Sequence, residues 1–391
     1  MKPKPALCGI SGAFAMLAIM IGHTALAAPF MIVGNDEKLT WADHGKGVLH
    51  PTGKDTVLII DLANPEDPKI AATLNLENSV VGPPVNLAIT PNGNLALVAD
   101  SVTVTDNAGT LKQVPTDKLF VIDLKASPPK LLDTLTLGKQ PSGLSINAAG
   151  TLALVANRAD GTVSVLKIDG MSVKQIAVVP VGKSVSTVEF TPDGKHALTV
   201  KSPDNMIGEL DVNGDQVTNT RLDLPTYQFP YNVVVTPDGK TALTADNGFG
   251  GNSDGNIDAV SVIDLDHQPP YVADRLAIPD APEGLAMSPT GAIAAVASVT
   301  GSNMKGNWFY HPHGVVVILG IANGKVTPLK TIEVGAVPEA MAFSPDGKYL
   351  YVGNYLDEDF NILRVNGTDV TDTGKRFKVP GHPGSARMGP G

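Results

Sequence analysis

The sequence predicts an all-β fold in which seven four-stranded antiparallel blades form a closed ring, a seven-bladed β-propeller. Three observations predict it. A strand–turn–strand pattern recurs about every 51 residues, no stretch between the copies has helical periodicity, and the strand missing from the first copy reappears at the C-terminus. With 43% apolar residues, the chain can also bury a sizeable core.

The first 27 residues have the pattern of a secretory signal peptide. Lys2 and Lys4 precede an apolar run at 14–21, and Ala25, Leu26 and Ala27 form an A-x-A cleavage pattern. We expect cleavage there and export to the periplasm, with residues 28–391 forming a single domain. The alternative is an uncleaved anchor, but the apolar run is shorter than the ~20 residues that a membrane helix needs. We expect no membrane span in the mature chain.

Each copy of the repeat starts with an apolar strand that ends in a glycine-containing turn. In most copies a Pro presets φ, an Asp or Asn caps the turn and the Gly accepts positive φ. A second apolar strand follows at once, and third and fourth strands come after it. The six strand–turn segments are 87–93, 144–150, 188–194, 233–239, 285–291 and 341–347.

The two chain ends supply one further blade between them. Residues 31–35, 56–62 and 69–76 match second, third and fourth strands, but no first strand precedes them. Residues 383–391 match a first strand. Pairing the two ends makes seven blades and leaves no open sheet edge. We number this composite blade one, and the blades that begin at residue 87 and beyond two to seven.

The string Ser344–Asn354, SPDGKYLYVGN, resembles the YVTN repeat of exported bacterial β-propellers, with Gly353 where the family has Thr. The resemblance covers essentially the whole mature chain, and five or six of the seven blades match. It implies a seven-bladed propeller in the periplasm or at the cell surface. It implies no single function, because related propellers include binding proteins, lactonase-like enzymes and subunits of redox complexes.

Composition disfavours several kinds of function. The formal net charge of −10 becomes −12 without the signal peptide, which does not favour a nucleic-acid partner unless Lys183, Lys195 and Lys201 form a local patch. Cys8 is the only cysteine, so the mature chain can form no disulfide, thiolate metal site or c-type haem. We find no nucleophile elbow, HExxH, P-loop or dinucleotide motif. We expect a monomer.

Four connections between second and third strands are much longer than the others. In a propeller these connections share a face with the loops that enter the channel, so we predict that this upper face binds a ligand. The alternative is that they are solvent loops without function. The long connections are 35–55, 100–118, 246–258 and 298–314.

The blade-six connection contains the string 307–314, NWFYHPHG. Its aromatic residues predict a lid over the channel that offers Trp308 and Tyr310 as stacking surface. His311 and His313 could act as ligands or carry a proton, and His311 is a candidate catalytic residue. The alternative is a loop that its own aromatics anchor against the blade.

Two metal sites are compatible with the upper connections. His311 and His313 could form a half-site that His44 or His50 completes, although blades one and six are not neighbours. The blade-five connection has oxygen side chains at alternate positions around a glycine, which resembles the start of a calcium loop. Asx turns are the alternative. The candidate calcium ligands are Asn252, Asp254, Asn256 and Asp258.

The channel mouth should be ringed by the residue after the first-strand Pro position. Blades five to seven place Tyr231, Glu283 and Glu339 there. The two glutamates fall in adjacent blades, and such a pair can do acid–base chemistry or hold a cation. The alternative is that both are solvated.

The ends of the second strands should border the same opening. Arg158 and Lys201 are the natural anion-binding candidates there. The full set at this position is Asp100, Asn157, Arg158, Lys201, Asp246 and Asn354.

Two functional hypotheses follow. The first is a periplasmic propeller that binds a protein partner or a small ligand on its upper face. The alternative is a propeller enzyme of the lactonase or hydrolase type, or a subunit of a periplasmic redox complex, with Glu283, Glu339 and His311 as candidate catalytic residues. Calcium is the one cofactor that the sequence suggests.

Overall fold

Seven antiparallel sheets of four strands surround a central channel, which confirms the predicted fold. The computed structural model describes Met1 and residues 29–79, 81–250 and 252–390. The predicted signal peptide, apart from Met1, lies outside the described residues, as does Cys8, so cleavage stays a prediction. Within the described ranges, we find no helix with the length and apolar character needed to cross a bilayer.

Blade one begins the described chain and carries an inserted hairpin. Its strands here are β1 (Phe30–Asn35), β4 (Thr56–Asp61) and β5 (Lys69–Leu74). The hairpin consists of β2 (Leu39–Ala42) and β3 (Lys46–Leu49), joined by a 3-10 turn at Asp43–Gly45. It occupies the long connection 35–55, and we call residues 39–49 the lid.

Blades two to seven each take four consecutive strands, the innermost first. Blade two is β6 (Leu87–Ile89), β7 (Leu95–Asn107), β8 (Thr110–Asp123) and β9 (Lys130–Thr136). Blade three is β10 (Pro141–Ile146), β11 (Leu152–Asn157), β12 (Thr162–Asp169) and β13 (Ser172–Pro180). Blade four is β14 (Val185–Phe190), β15 (His196–Lys201), β16 (Met206–Asn213) and β17 (Gln216–Pro225), with a 3-10 turn at Ser202–Asp204.

The remaining blades follow the same order. Blade five is β18 (Pro230–Val235), β19 (Thr241–Asp246), β20 (Asp258–Asp264) and β21 (Tyr271–Ile278). Blade six is β22 (Pro282–Met287), β23 (Ile293–Ser298), β24 (Val315–Ala322) and β25 (Lys325–Glu333). Blade seven is β26 (Pro338–Phe343), β27 (Tyr349–Asn354), β28 (Asp359–Asn366) and β29 (Asp369–Lys378).

The last strand, β30 (Pro383–Met388), closes the ring by completing blade one. It pairs antiparallel with β1, with Val33 opposite Ala386 and Ile32 opposite Arg387. The predicted composite blade is therefore confirmed. By pairing with β1, the innermost strand β30 covers the edge of β1 that would otherwise be open.

The repeated turn has the predicted chemistry. In blade five the Thr236 hydroxyl donates to the Asp238 carboxylate at 2.6 Å, and Gly239 has a φ of +73°. The Lys240 backbone N–H donates to the same Asp238 oxygen at 3.1 Å. A side chain on Gly239 would be strained at that φ, which explains why each copy of the turn ends in glycine.

The hydrophobic core lies between neighbouring blades. Where blade seven meets blade one, Tyr351 and Phe360 pack with Met31 and Leu58, and all four are buried. Because the middle strands are covered on both faces, β23 is buried along its whole length.

The long connection of blade two differs from the expected loop. Strands β7 and β8 continue as a paired hairpin from Asp100–Lys118 out to Asn107–Thr110. The extended β8 contacts β3 of the lid. The blade-two insertion is thus a β-hairpin that supports the lid from the side.

Candidate functional site

A cavity of about 180 Å³ lies at the upper end of the channel. Innermost strands supply Tyr231, Glu283 and Glu339 to its wall, and Arg158 comes from the end of β11. The connections of blades one, five and six supply the rest of the polar and aromatic lining, namely Trp41, Asn252 and Asn303. Three of the four long connections therefore meet at one opening.

The lid reaches from blade one to blade six. At its tip the His44 backbone N–H donates to the Lys305 carbonyl at 2.6 Å, and His44 Nδ1 lies 3.0 Å from Asn307 Oδ1. Under it the Tyr355 hydroxyl of blade seven donates to the Leu39 carbonyl at 2.6 Å. Trp41 meets the Tyr355 ring edge-on, with centroids 5.5 Å apart. The lid thus covers the mouth with an aromatic underside.

A buried ammonium group anchors the base of the lid. Lys38 is 1% exposed and contacts the Asp55 carboxylate and the Asn78 carbonyl. Its Nζ also lies 3.3 Å from Asp36 Oδ1 and 3.6 Å from Glu77 Oε2. A buried cation surrounded by acceptors fixes the entry of the chain into β2, because any displacement would leave charge unpaired in the interior.

Both glutamates of the mouth have raised pKa values. Burial raises the pKa of Glu283 to about 7, although the Asn247 amide donates to it at 3.1 Å. Burial and then the charges of Glu283 and Asp36 raise the pKa of Glu339 well above its usual value. Of the two carboxyl groups, Glu339 is therefore the one that the charge of its neighbour holds further toward the neutral form.

A cation and a phenol complete the wall. The Arg158 side chain forms no hydrogen bond or ion pair with any residue of the described ranges. Burial, followed by the charge of Glu283, keeps the pKa of Tyr231 well above its ordinary value, so the phenol stays neutral. The cavity thus presents an available guanidinium, a hydroxyl and two carboxyl groups with raised pKa values. Together they can bind a polar ligand that carries an anionic or carbonyl oxygen.

The other predicted second-strand ends lie inside the blades. Asp246 accepts hydrogen bonds from Thr244 at 2.6 Å and from Ser261 at 2.5 Å. Asn354 accepts from the Gly335 N–H at 2.8 Å, and the Asn157 amide donates to Thr162 at 2.9 Å. These side chains tie strands and connections together and do not line the cavity.

The two remaining charged strand ends are also buried within blades. Lys201 pairs with Asp223 at 2.5 Å and is 5% exposed. Burial raises the pKa of Asp100 to about 7. Of the two predicted anion-binding cations, only Arg158 lines the cavity.

The aromatic string 307–314 of the blade-six connection, which the sequence predicts as a lid, does not line the cavity. Trp308 is 89% exposed and Tyr310 is 39% exposed. Phe309 packs so closely against Gly255 that a Cβ there would lie 2.7 Å from the Phe309 ring. His311 Nδ1 is 2.9 Å from the His313 carbonyl oxygen. Phe309 thus packs this string against the blade-five connection, while Trp308 and Tyr310 are exposed.

The predicted calcium loop is held by Asx-type contacts. Asp280 accepts the backbone N–H groups of Asp254 and Gly255, each at 3.1 Å. Burial raises the pKa of Asp258 to about 6, and its carboxylate accepts the Ala281 N–H at 2.8 Å. Across the described part of the chain, no three His, Cys, Asp or Glu side chains are arranged as metal ligands. Calcium stays a prediction.

Three polar or aromatic residues of the site were not predicted from the sequence. Trp41 lines the cavity from the lid, Asn303 lines it from blade six, and Asn247 hydrogen-bonds Glu283. Trp41 carried a usable signal, because it is one of only two tryptophans and lies in a long connection. Asn247 and Asn303 carried no such signal in the sequence.

Comparison with known proteins shows the fold alone. A structure of hydrazine synthase from Kuenenia stuttgartiensis has a TM-score of 0.61 at 20% identity, over 80% of this chain and 91% of that one. The periplasmic gluconolactonase of Pseudomonas aeruginosa has a TM-score of 0.65 at 17% identity, over 92% and 98%. A functionally unknown protein from Desulfotomaculum acetoxidans reaches 0.67 at 14%, over 93% and 100%. No family model and no curated protein matches the chain.

Proposed function

We propose that the upper end of the channel binds a small organic ligand with an anionic or carbonyl oxygen and hydroxyl groups, a sugar acid or its lactone. One observation carries the proposal. The buried Glu283 and Glu339 pair shares a cavity with Arg158, whose guanidinium has no partner among the described residues. A ligand that lies between Arg158 and the glutamate pair would give hydrogen-bond partners to both.

Each wall of the cavity matches one part of such a ligand. Arg158 suits a carboxylate or a carbonyl oxygen. The carboxyl pair can both accept and donate, so it suits hydroxyl groups. Trp41 offers an aromatic face for the C–H side of a sugar ring. The 180 Å³ volume holds about six water molecules, which limits the closed site to a small ligand.

Calorimetric titration with D-gluconate and D-glucono-1,5-lactone tests the proposal. We expect Arg158→Met to weaken binding at least ~10-fold, since a charge-assisted hydrogen bond is lost. The control is Lys139→Met, which removes an exposed cation of the same blade and should change the affinity less than ~2-fold. Absence of binding by both compounds, or equal effects of the two variants, would contradict the proposal.

A second candidate function, lactone hydrolysis, uses the same cavity. The different protonation of the two glutamates favours it. Ionised Glu283 would take a proton from a water molecule as that water attacks the lactone carbonyl. Neutral Glu339 would give its proton to the ring oxygen as the C–O bond breaks, which leaves a hydroxy acid. Arg158 would stabilise the oxyanion.

A pH-stat assay on D-glucono-1,5-lactone separates hydrolysis from binding alone. If the site is catalytic, Glu339→Gln should lower kcat by ~100-fold or more, because the Gln amide can still hydrogen-bond the ligand but cannot give a proton to the ring oxygen. A wild-type rate equal to the spontaneous rate would leave only the binding function.

A protein partner on the upper face is supported by exposed aromatic groups there. Trp308 is 89% and Phe249 66% exposed, and each lies on a long connection. The double variant Trp308→Ala/Tyr310→Ala should weaken the capture of periplasmic proteins by the immobilised protein. Unchanged capture would argue against a partner on these loops.

The proposed compartment is the periplasm. It is supported by the pattern of residues 1–27, and a similarly folded neighbour is a periplasmic gluconolactonase. Mass spectrometry of the exported protein should show Ala28 as the first residue. An intact Met1 on the exported protein would contradict cleavage.

A further inference from the structure

A second cavity, of about 350 Å³, occupies the other end of the channel. All seven innermost strands line it, and we call it the lower chamber. One position of the repeat faces it in every blade, namely the last but one residue of the innermost strand. In five blades this position is Ala, Ser or Val, but in blade four it is Glu189 and in blade one it is Arg387.

These two charges are not paired by contact. Glu189 forms no hydrogen bond or ion pair with any described residue, and Arg387 has one long contact, from Nη1 to the Ala386 carbonyl at 3.5 Å. The nearby Ser145 hydroxyl oxygen accepts the Phe190 N–H at 3.2 Å, and no described hydrogen bond joins Ser145 to Glu189. Both charged groups are therefore available to an occupant of the chamber.

Glu189 and Arg387 are both half-buried in the wall of the chamber. Burial raises the pKa of Glu189 to about 7, against the pull of Arg387, and burial lowers the pKa of Arg387. Opposite charges in a partly desolvated site are stabilised when they meet in an ion pair or when each has another partner of opposite charge. Here blades four and one hold them on opposite sides of the ring. A bridging molecule would compensate both.

Most of the other side chains that line the chamber are apolar. They include Ile146, Val234, Met287 and Met388. Glu189 and Arg387 are the only ionisable groups among the residues that line it. The chamber therefore offers an anion site, a cation site and an apolar surface between them.

We propose that the lower chamber binds a small aliphatic amino acid in its zwitterionic form. Its carboxylate would meet Arg387, its ammonium Glu189, and its side chain the apolar wall. The volume corresponds to about 12 water molecules, enough for an amino acid of the size of leucine. This site is separate from the upper cavity and does not depend on the function proposed there.

Ligand-observed NMR and calorimetry with three probes test the site. The probes are L-leucine, isovalerate, which lacks the ammonium group, and isoamylamine, which lacks the carboxylate. We expect L-leucine to bind most tightly, and Arg387→Met and Glu189→Gln each to weaken it at least ~10-fold. Isovalerate should respond to Arg387→Met alone, and isoamylamine to Glu189→Gln alone.

Two controls keep the test decisive. Arg158→Met, at the upper end, should leave L-leucine affinity unchanged. If either single variant fails to fold, the double variant Glu189→Gln/Arg387→Met leaves no unbalanced charge and should fold but not bind L-leucine. Failure of all three probes to bind the wild type at millimolar concentration would overturn the proposal, as would wild-type affinity in the double variant.

Discussion

The two ends of the channel are built from different parts of the repeat. At the lower end, Glu189 and Arg387 lie on strands whose positions the repeat fixes. At the upper end, Glu283 and Glu339 also lie on strands, but Trp41, Asn303 and the lid come from connections that differ between blades. The strand framework therefore sets where charges can be placed. The non-repeating connections determine which of them a ligand can reach.

The largest expected change in the free energy of unfolding comes from removing the strand that closes the ring. Deleting residues 383–391 removes β30 and opens blade one, so we expect loss of most of the free energy of unfolding, on the order of 5 kcal/mol or more. Replacing lid residues 39–49 by two glycines should leave the propeller folded. Urea unfolding followed by circular dichroism measures both. A truncated chain with the wild-type midpoint would show that the composite blade is dispensable.

The next effect concerns the anchor of the lid. Lys38→Met leaves the buried Asp36 and Asp55 carboxylates without their cation, which should lower the free energy of unfolding by ~3–5 kcal/mol. Amide exchange in the lid should also accelerate. Lys46→Met, on the exposed part of the lid, is the matched control and should change stability little. Equal exchange rates in both variants would argue that the lid is held by its aromatic contacts alone.

The pH dependence of stability separates the glutamates of the two ends. Glu283 and Glu189 each have a pKa raised from 4.5 to about 7, so between these pH values the folded state binds more protons than the unfolded state. The free energy of unfolding should therefore fall as the pH rises from about 4.5 to 7, by up to roughly 3 kcal/mol per group.

Single amide substitutions at each end resolve these contributions. Glu283→Gln should flatten the pH dependence and also lower the pKa of Glu339, because one of the charges that raise it is gone. Glu189→Gln should also flatten the pH dependence of the free energy of unfolding, but only by removing the contribution of Glu189 itself. Denaturant titrations at pH 5 and pH 7 give the slopes, and a variant with the wild-type slope would show that its carboxyl is not perturbed.

The smallest effects distinguish the two tryptophans. Trp308 is 89% exposed, so Trp308→Ala should change the free energy of unfolding by less than ~0.5 kcal/mol and leave D-gluconate binding intact. Trp41 lines the upper cavity, and Trp41→Ala should weaken binding by roughly 1 kcal/mol. Titration calorimetry of the two variants compares them directly. If Trp308→Ala weakened D-gluconate binding more than Trp41→Ala, the binding surface would lie on the outer loops instead.

Part of the site was visible in the sequence. Glu283 and Glu339 occupy equivalent positions in adjacent blades, and the ring brings them into one cavity with Tyr231 and Arg158. Repeat alignment finds such residues because equivalent positions in neighbouring blades must face the same channel. The same alignment contained Glu189 and Arg387, and the charge at a position otherwise held by small or apolar residues was the available signal.

The fold itself could be predicted from local features of the sequence. The turn residues, the alternation of apolar residues and the displaced first strand determined the number of blades and the closure, because each depends on contacts within one repeat or between equivalent strands. Tertiary structure alone decided which side chains reach the upper cavity. The lid crosses blade seven to reach blade six, and no periodicity records a contact between segments separated by some 260 residues, as between His44 and Asn307.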